Sequence, residues 1–276
     1  MTQCELNQSF PSGDSHPMKQ EPCVLSFARC RILATVLVVC AAFTSCIAAD
    51  GSAIAHPETP SGIVVGFVGG FVRRNNLRHG PVQFAEYLRR SAPKDTYIQV
   101  FENRHRKTAY RTILSLLDRN HDGVLSDEEK AQAHIILFGQ SWGACTAVLL
   151  ARDLKRAGIP VLLTVQVDSV AKLWQNDRII PDNVAEAVNF YQPHGILHGR
   201  REITAADPSK TQILGNYRFD YKKAPVDCPA PSWYDRVFTP SHAQSECDPH
   251  LWSQVEALVR QRLQPQPSAA AKGPKP

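Results

Sequence analysis

The chain has 276 residues, 43% of them apolar and 21% charged, with a formal net charge of +5. That apolar content is enough to bury a core, which excludes a wholly disordered chain. Lys and Arg are interspersed with Asp and Glu rather than gathered in a stripe, so the charge reads as a solvated surface and excludes nucleic acid as the expected partner.

In chain order, the first 60 residues stand apart. Arg29 and Arg31 precede an uncharged run, ILATVLVVCAAFTSCIAA, from Ile32 to Ala49, the layout of an export signal. Met18 followed by Lys19 is a more ordinary start for such a signal than Met1. Three outcomes stay open. The signal is cleaved after Ala55, it is lipidated at Cys46 (FTSC resembles a lipobox with Phe in first place), or it is retained as an anchor helix just long enough to span a membrane. The expected location is therefore exported: periplasmic, secreted or membrane-anchored.

From Ser61 to Leu263 apolar runs alternate with amphipathic segments, which predicts an α/β class with a doubly wound, mostly parallel sheet and helices on both faces. The strands are expected at Ile63 to Val68, Thr96 to Phe101, His134 to Phe138, Val161 to Val167 and about Gln212 to Phe219. Helical spacing covers Pro81 to Arg90, Thr108 to Leu117, Trp142 to Arg156 and Pro249 to Arg262, with Pro81 and Pro249 at first-turn positions. From Gln264 the sequence QPQPSAAAKGPKP has no periodicity and reads as a disordered tail. Five of the eight cysteines fall in the first 46 residues. Of the rest, Cys228 and Cys247 lie in a Pro-rich stretch where they can pair, and Cys145 reads as a buried thiol.

DRNHDGVLSDEE, residues 118–129, precedes the third strand. It places Asp118, Asn120, Asp122, Gly123, Val124, Ser126 and Glu129 at positions 1, 3, 5, 6, 7, 9 and 12 of an EF-hand loop. Oxygen donors from Asp118, Asn120, Asp122, Val124, Ser126 and Glu129 suit a hard Ca²⁺ ion, Gly123 permits the bend, and Leu125 should point into the structure. A single loop argues for a structural brace rather than a sensor pair.

GQSWG, from Gly139 to Gly143, joins the strand HIILF to the helix WGACTAVLLARDLKRAG. A sharp turn there lifts the Ser141 hydroxyl above the sheet and needs small residues two before and two after it. A serine needs a base and an orienting carboxylate. Asp168, ending VLLTVQVD, is the expected acid, with Asp177 as fallback. His242, on a polar loop before the last helix, is the expected base. His250 falls in that helix's first turn, and His194 and His198 are placed to line a cleft. Oxyanion donors are expected from the backbone of Trp142 and of Gly70 or Phe71 in GFVGGF, which lacks the spacing of a nucleotide loop. Trp174, Phe190, Tyr191, Trp233 and Tyr234 are available to line an apolar pocket.

GFVGGF, GQSWGA, VQVDSV and SHAQSECDPHLW together resemble the serine hydrolases of the α/β-hydrolase superfamily, more narrowly its bacterial lipase-like or thioesterase-like members, across about residues 62 to 263. The resemblance implies acyl-enzyme chemistry on a small-molecule or lipid ester or thioester, with Ser141, Asp168 and His242 in the roles above. The chain departs from most of the superfamily in placing its acid one strand early, and in lacking the first two strands and a large lid. An acyltransferase with the same triad and a non-catalytic, calcium-braced binding module remain alternatives.

Overall fold

A computed structural model describes residues 60–228 and 239–264. The apolar run from Ile32, Cys46, Ala55, Trp233, Tyr234 and the chain after Gln264 lie outside them. Six strands, β1 (Gly62–Val68), β2 (Thr96–Glu102), β3 (Ile135–Gln140), β4 (Val161–Val167), β6 (Val184–Tyr191) and β8 (Gln212–Arg218), form one sheet in the order β2-β1-β3-β4-β6-β8. All of its pairings are parallel. The two-residue strands β5 (Ile179–Ile180) and β7 (Thr204–Ala205) pair separately, also in parallel.

Side chains alternate across a strand, and in β1 the alternation separates two cores. Ile63, Val65 and Phe67 pack against α2 (Arg106–Leu117) and α4 (Trp142–Arg156) through Ala109, Ile113, Ala147, Leu150 and Leu154. Val64 and Val68 belong to the other core, with Val82, Phe84 and Leu88 of α1 (Gly80–Ser91) and Leu251, Val255 and Val259 of α6 (Pro249–Leu263). The sheet is therefore doubly wound, and burial on both faces is why its strands read as nearly continuous apolar runs. Each such buried side chain contributes roughly 1.5–3 kcal/mol. Pro81 and Pro249 stand in the first turns of α1 and α6, and Asp248 caps α6 by accepting from His250 N and Leu251 N.

Two elements escape the apolar pattern. β6 carries Glu186 and Asn189, which break its alternation. Glu186 is matched by Arg262 at 2.6 Å, and Asn189 donates to Arg200 O at 2.7 Å and to Asn216 Oδ1 at 3.1 Å. The segment before α6, expected as a polar loop, is instead the helix α5 (Pro240–Cys247). Its buried residues are Ser241, His242 and Ser245, so its inward face is polar and presents no hydrophobic stripe to read. A disulfide joins Cys247, at the end of α5, to Cys228, and Cys145 is a buried free thiol. Among the described residues no helix is long and apolar enough to cross a membrane.

Candidate active site

Strand register gathers the candidate residues. Phe67 of β1 pairs with Gly139, Gln140 of β3 with Val167, and Val167 of β4 with Phe190. Gly69, Ser141 and Asp168 therefore emerge side by side at the carboxyl edge of the sheet, where open α/β sheets form their clefts.

At the turn, Ser141 has φ 56° and ψ −127°, a region that a residue with a side chain occupies only under constraint. The constraint is packing. A Cβ on Gly139 would collide with the backbone of Gly143, and one on Gly143 would collide with the carbonyl of Phe67. Ser141 N donates to Val167 O at 3.0 Å, and Ser141 O accepts from Ala144 N and Val170 N. Ser141 also begins α4 without capping it through its side chain, so the hydroxyl is not spent there, and the first N–H groups of the helix point toward the site.

Asp168, fully buried and at φ 43°, faces His242: its Oδ2 lies 2.6 Å from His242 Nδ1. Gln192 donates to both oxygens of the same carboxylate, from its backbone at 3.1 Å and its side chain at 3.0 Å. Gly199 packs so closely on Asp168 that a Cβ there would strike Oδ1. With Nδ1 turned to a carboxylate, that nitrogen carries the proton and Nε2 is the acceptor. Nε2 meets the side-chain amide of Gln140 at 3.3 Å. Gln140 and Gln192 touch the His–Asp pair and were not singled out from sequence, because a glutamine carries no motif of its own.

His242 lies on a helix rather than a loop, with its backbone carbonyl accepting from Ser245 Oγ at 2.7 Å. Asp177 is buried but accepts from Ser169 Oγ and pairs with Arg200 instead of a histidine. His194 pairs with Asp220 at 2.8 Å, and His250 sits exposed in the first turn of α6. Phe190 belongs to the core, stacked on Tyr217, whereas Trp174 is 94% exposed and at φ 67°. His198 lines a 550 Å³ cavity beside Asp168, with Val170, Ile196, Leu197, Arg200 and Arg201. Burial raises the Cys145 thiol to about 11, reinforced by Asp177, which keeps it protonated and inert.

Of the expected oxyanion donors, Trp142 N opens α4, while Gly70 (φ 47°) and Phe71 sit in a turn closed by Val72 N donating to Gly69 O at 3.3 Å. Neither Gly70 N nor Phe71 N bonds another described residue. Phe71 is 86% exposed and meets Trp142 edge-on at 5.6 Å.

The 118–129 loop is held by its own side chains. Asp118 Oδ2 accepts from Gly123 N, Asn120 Oδ1 from Asp122 N, and Asp122 Oδ1 from Val124 N. Gly123 is at φ 80°, and Leu125 packs on the core. Ser126 and Glu129 form a capping box that starts α3 (Asp127–Ala131). Backbone N–H bonds from Ser126 and Arg119 hold Glu129 below the usual carboxylate range. Asp118 Oδ1 is buried without a hydrogen-bond partner, a costly state that a cation would relieve. No group of three or more His, Cys, Asp or Glu side chains among the described residues is arranged to hold a metal. The loop's other donors are an amide, a hydroxyl and a carbonyl, and both oxygens of Glu129 are engaged by backbone donors, from Arg119 and Ser126.

No family model matches the chain, and no curated protein matches it. Among solved structures it is similar to a dienelactone hydrolase from Anabaena variabilis (13% identity over 74% of this chain and 86% of that one, TM-score 0.37). It is also similar to human thioesterase 2 (12% identity, 74% and 96%, TM-score 0.37) and to an acetyl xylan esterase (10% identity, 74% and 99%, TM-score 0.34). No residue correspondence follows from these similarities.

Proposed function

We propose that this chain is a serine hydrolase that cleaves a carboxylic ester or thioester through an acyl-enzyme on Ser141. One observation carries the reading: a serine held at φ 56° on a glycine-flanked strand-to-helix turn, beside a buried His242–Asp168 pair at 2.6 Å. Ser141 Oγ attacks the acyl carbonyl while His242 Nε2 takes its proton, and Asp168 orients the ring and balances the imidazolium. For this, the Gln140 amide must yield Nε2 to the serine hydroxyl, a contact that commonly tightens only when substrate is bound. The N–H groups of Trp142 and of Gly70 or Phe71 receive the oxyanion. His242 then returns the proton to the leaving alcohol or thiol, and water, deprotonated by the same nitrogen, releases the acid from Ser141.

The loop at 118–129 is proposed to hold Ca²⁺ through Asp118, Asn120, Asp122, Ser126 and Glu129 side chains and the Val124 carbonyl, which requires Asp118, Asp122 and Glu129, not gathered for a metal in this structure, to exchange backbone donors for the ion. The ion supplies a fixed loop between α2 and β3, and no chemistry. Export is supported by the apolar run at Ile32 to Ala49 and by the Cys228–Cys247 disulfide, which suits an oxidising compartment.

A chain-length series of acyl esters and thioesters assayed on the purified protein tests the activity. Ser141→Ala is expected to lower kcat by about 10⁴-fold or more, and Asp168→Asn by about 10³- to 10⁴-fold. Turnover by Ser141→Ala within tenfold of the parent contradicts the proposal. Absence of turnover in a folded, calcium-loaded parent favours the binding module, and product that forms only when an acceptor alcohol is present favours acyl transfer.

A further inference from the structure

Asn103, the first residue after β2, has no role in the reaction described above, yet its side chain is fully committed beside the proposed oxyanion turn. The register Val68↔Glu102 sets Asn103 next to Gly69 at the carboxyl edge. It is 8% exposed. Its Nδ2 donates to Gly70 O at 2.5 Å and to Val68 O at 3.3 Å, and its Oδ1 accepts from Lys172 Nζ at 2.7 Å. The Lys172 ammonium also lies 4.7 Å from the centroid of the Trp142 ring. One amide thus uses both donors and its acceptor, and through Lys172 it reaches the residue that follows the nucleophile.

A trans peptide is planar, with its N–H pointing away from its C=O. A bond that fixes Gly70 C=O therefore fixes the direction of Phe71 N–H, and a bond that fixes Val68 C=O does the same for Gly69 N–H. The Val72-to-Gly69 bond fixes the peptide between them. A Cβ on Gly69 would strike Gln140 Oε1 and Ser141 Cβ, so packing confines residue 69, whereas Gly70 is at φ 47° and a Cβ there would meet nothing within 4 Å, so the peptide between Gly70 and Phe71 is set chiefly by hydrogen bonds. On the far side, an ammonium over an indole face restrains Trp142.

Resting on the serine hydrolase reading, we infer that Asn103 is a positioning residue that aims the N–H donors of residues 69–71 at the oxyanion. Lys172 locks Asn103 and links it to Trp142, so that the two halves of the oxyanion site form one rigid unit. Asn103 touches no reacting atom. Its contribution is to the transition state, because the donors it aims are used most when the carbonyl oxygen becomes an anion.

The test compares Asn103→Asp and Asn103→Leu, which lose the donors, with Lys172→Met and Lys172→Arg. Since loss of one oxyanion donor lowers kcat by about 10²- to 10³-fold, misaiming it should lower kcat by about 10- to 100-fold. KM should stay within threefold, and the affinity for a trifluoromethyl ketone, whose adduct carries the oxyanion, should fall in parallel with kcat. Lys172→Met should lose about 3- to 10-fold in kcat, and Lys172→Arg, which restores a cationic donor, should recover at least half of the parent rate. Amide exchange across residues 69–71 should quicken in Asn103→Leu whether or not the protein turns over any ester. Folded Asn103 variants with unchanged kcat, a loss confined to KM, or unchanged exchange at 69–71 would overturn the inference. If the Asn103 variants do not fold, equal rates for Lys172→Met and the parent overturn it instead. A parent inert toward every ester, with exchange at 69–71 still dependent on Asn103, removes the hydrolase reading alone.

Discussion

The Ser141 turn and the 118–129 loop each hold a side-chain-bearing residue in the left-handed region, Ser141 at φ 56° and His121 at φ 57°, but by opposite means. The turn is fixed largely by what surrounds it: Val167 O and Val170 N bond the Ser141 backbone from the neighbouring strand and loop, Phe67 of β1 leaves no room for a Cβ at Gly143, and Gly143 leaves none at Gly139. The loop is fixed by itself, through bonds spanning ten residues or fewer, and is largely exposed. Strain held by the whole fold can be put to chemical use because the fold does not let it relax. Strain held locally serves a local purpose such as gripping an ion.

The sharpest break of this contrast is a methyl group on a glycine. Gly143→Ala places a Cβ against the Phe67 carbonyl and should cost about 1–3 kcal/mol or more of stability together with most of the activity. Gly123→Ala meets no atom within 4 Å and suffers only its φ of 80°, so it should cost about 1 kcal/mol and leave turnover intact. Chemical denaturation and initial rates on the two variants check this, and equal losses in both would erase the distinction.

Removing the strain is the next test. Ser141→Gly should raise stability by about 1–2 kcal/mol while abolishing activity, because glycine adopts φ 56° freely. Unchanged or lower stability on denaturation would mean that the turn is not strained.

These regions also differ in how far they could be read from residues alone. All six residues proposed as Ca²⁺ ligands lie within twelve consecutive residues, so spacing alone is enough to propose the site. GQSWG states its turn for the same reason, and the apolar runs of β1, β3 and β4 follow from burial on both faces. The place of His242 before the last helix makes it the expected base, but its helical setting leaves no sign in the sequence, since a helix that buries Ser241, His242 and Ser245 has no apolar period. The contacts of Gln140, Gln192 and Asn103 join residues 24 to 102 positions apart, brought together by strand register and by the placement of α5, and leave no local trace.

The smallest expected effect concerns the cation proposed for the loop. Millimolar Ca²⁺ should raise the melting temperature by a few degrees over chelator, in line with about 1–3 kcal/mol from binding the folded state, and Asp118→Ala should remove that difference while kcat changes less than threefold. In chelator, Glu129 is the acid-sensitive member. Its folded pKa is depressed by the Ser126 and Arg119 N–H groups, so its stabilisation is present above an unfolded value of about 4.3 and is lost as pH falls through the lower folded value. Glu129→Gln should flatten the acid limb of the melting curve, and an unchanged limb would show that the capping box contributes nothing there.

A fluorophosphonate probe reports whether Ser141 is an activated nucleophile. Labelling of the folded protein, followed by peptide mapping, should place a single adduct on Ser141. The adduct should be absent in Ser141→Ala and strongly slowed in His242→Ala. Folded protein that takes no label, or a label that persists in Ser141→Ala, would contradict the account.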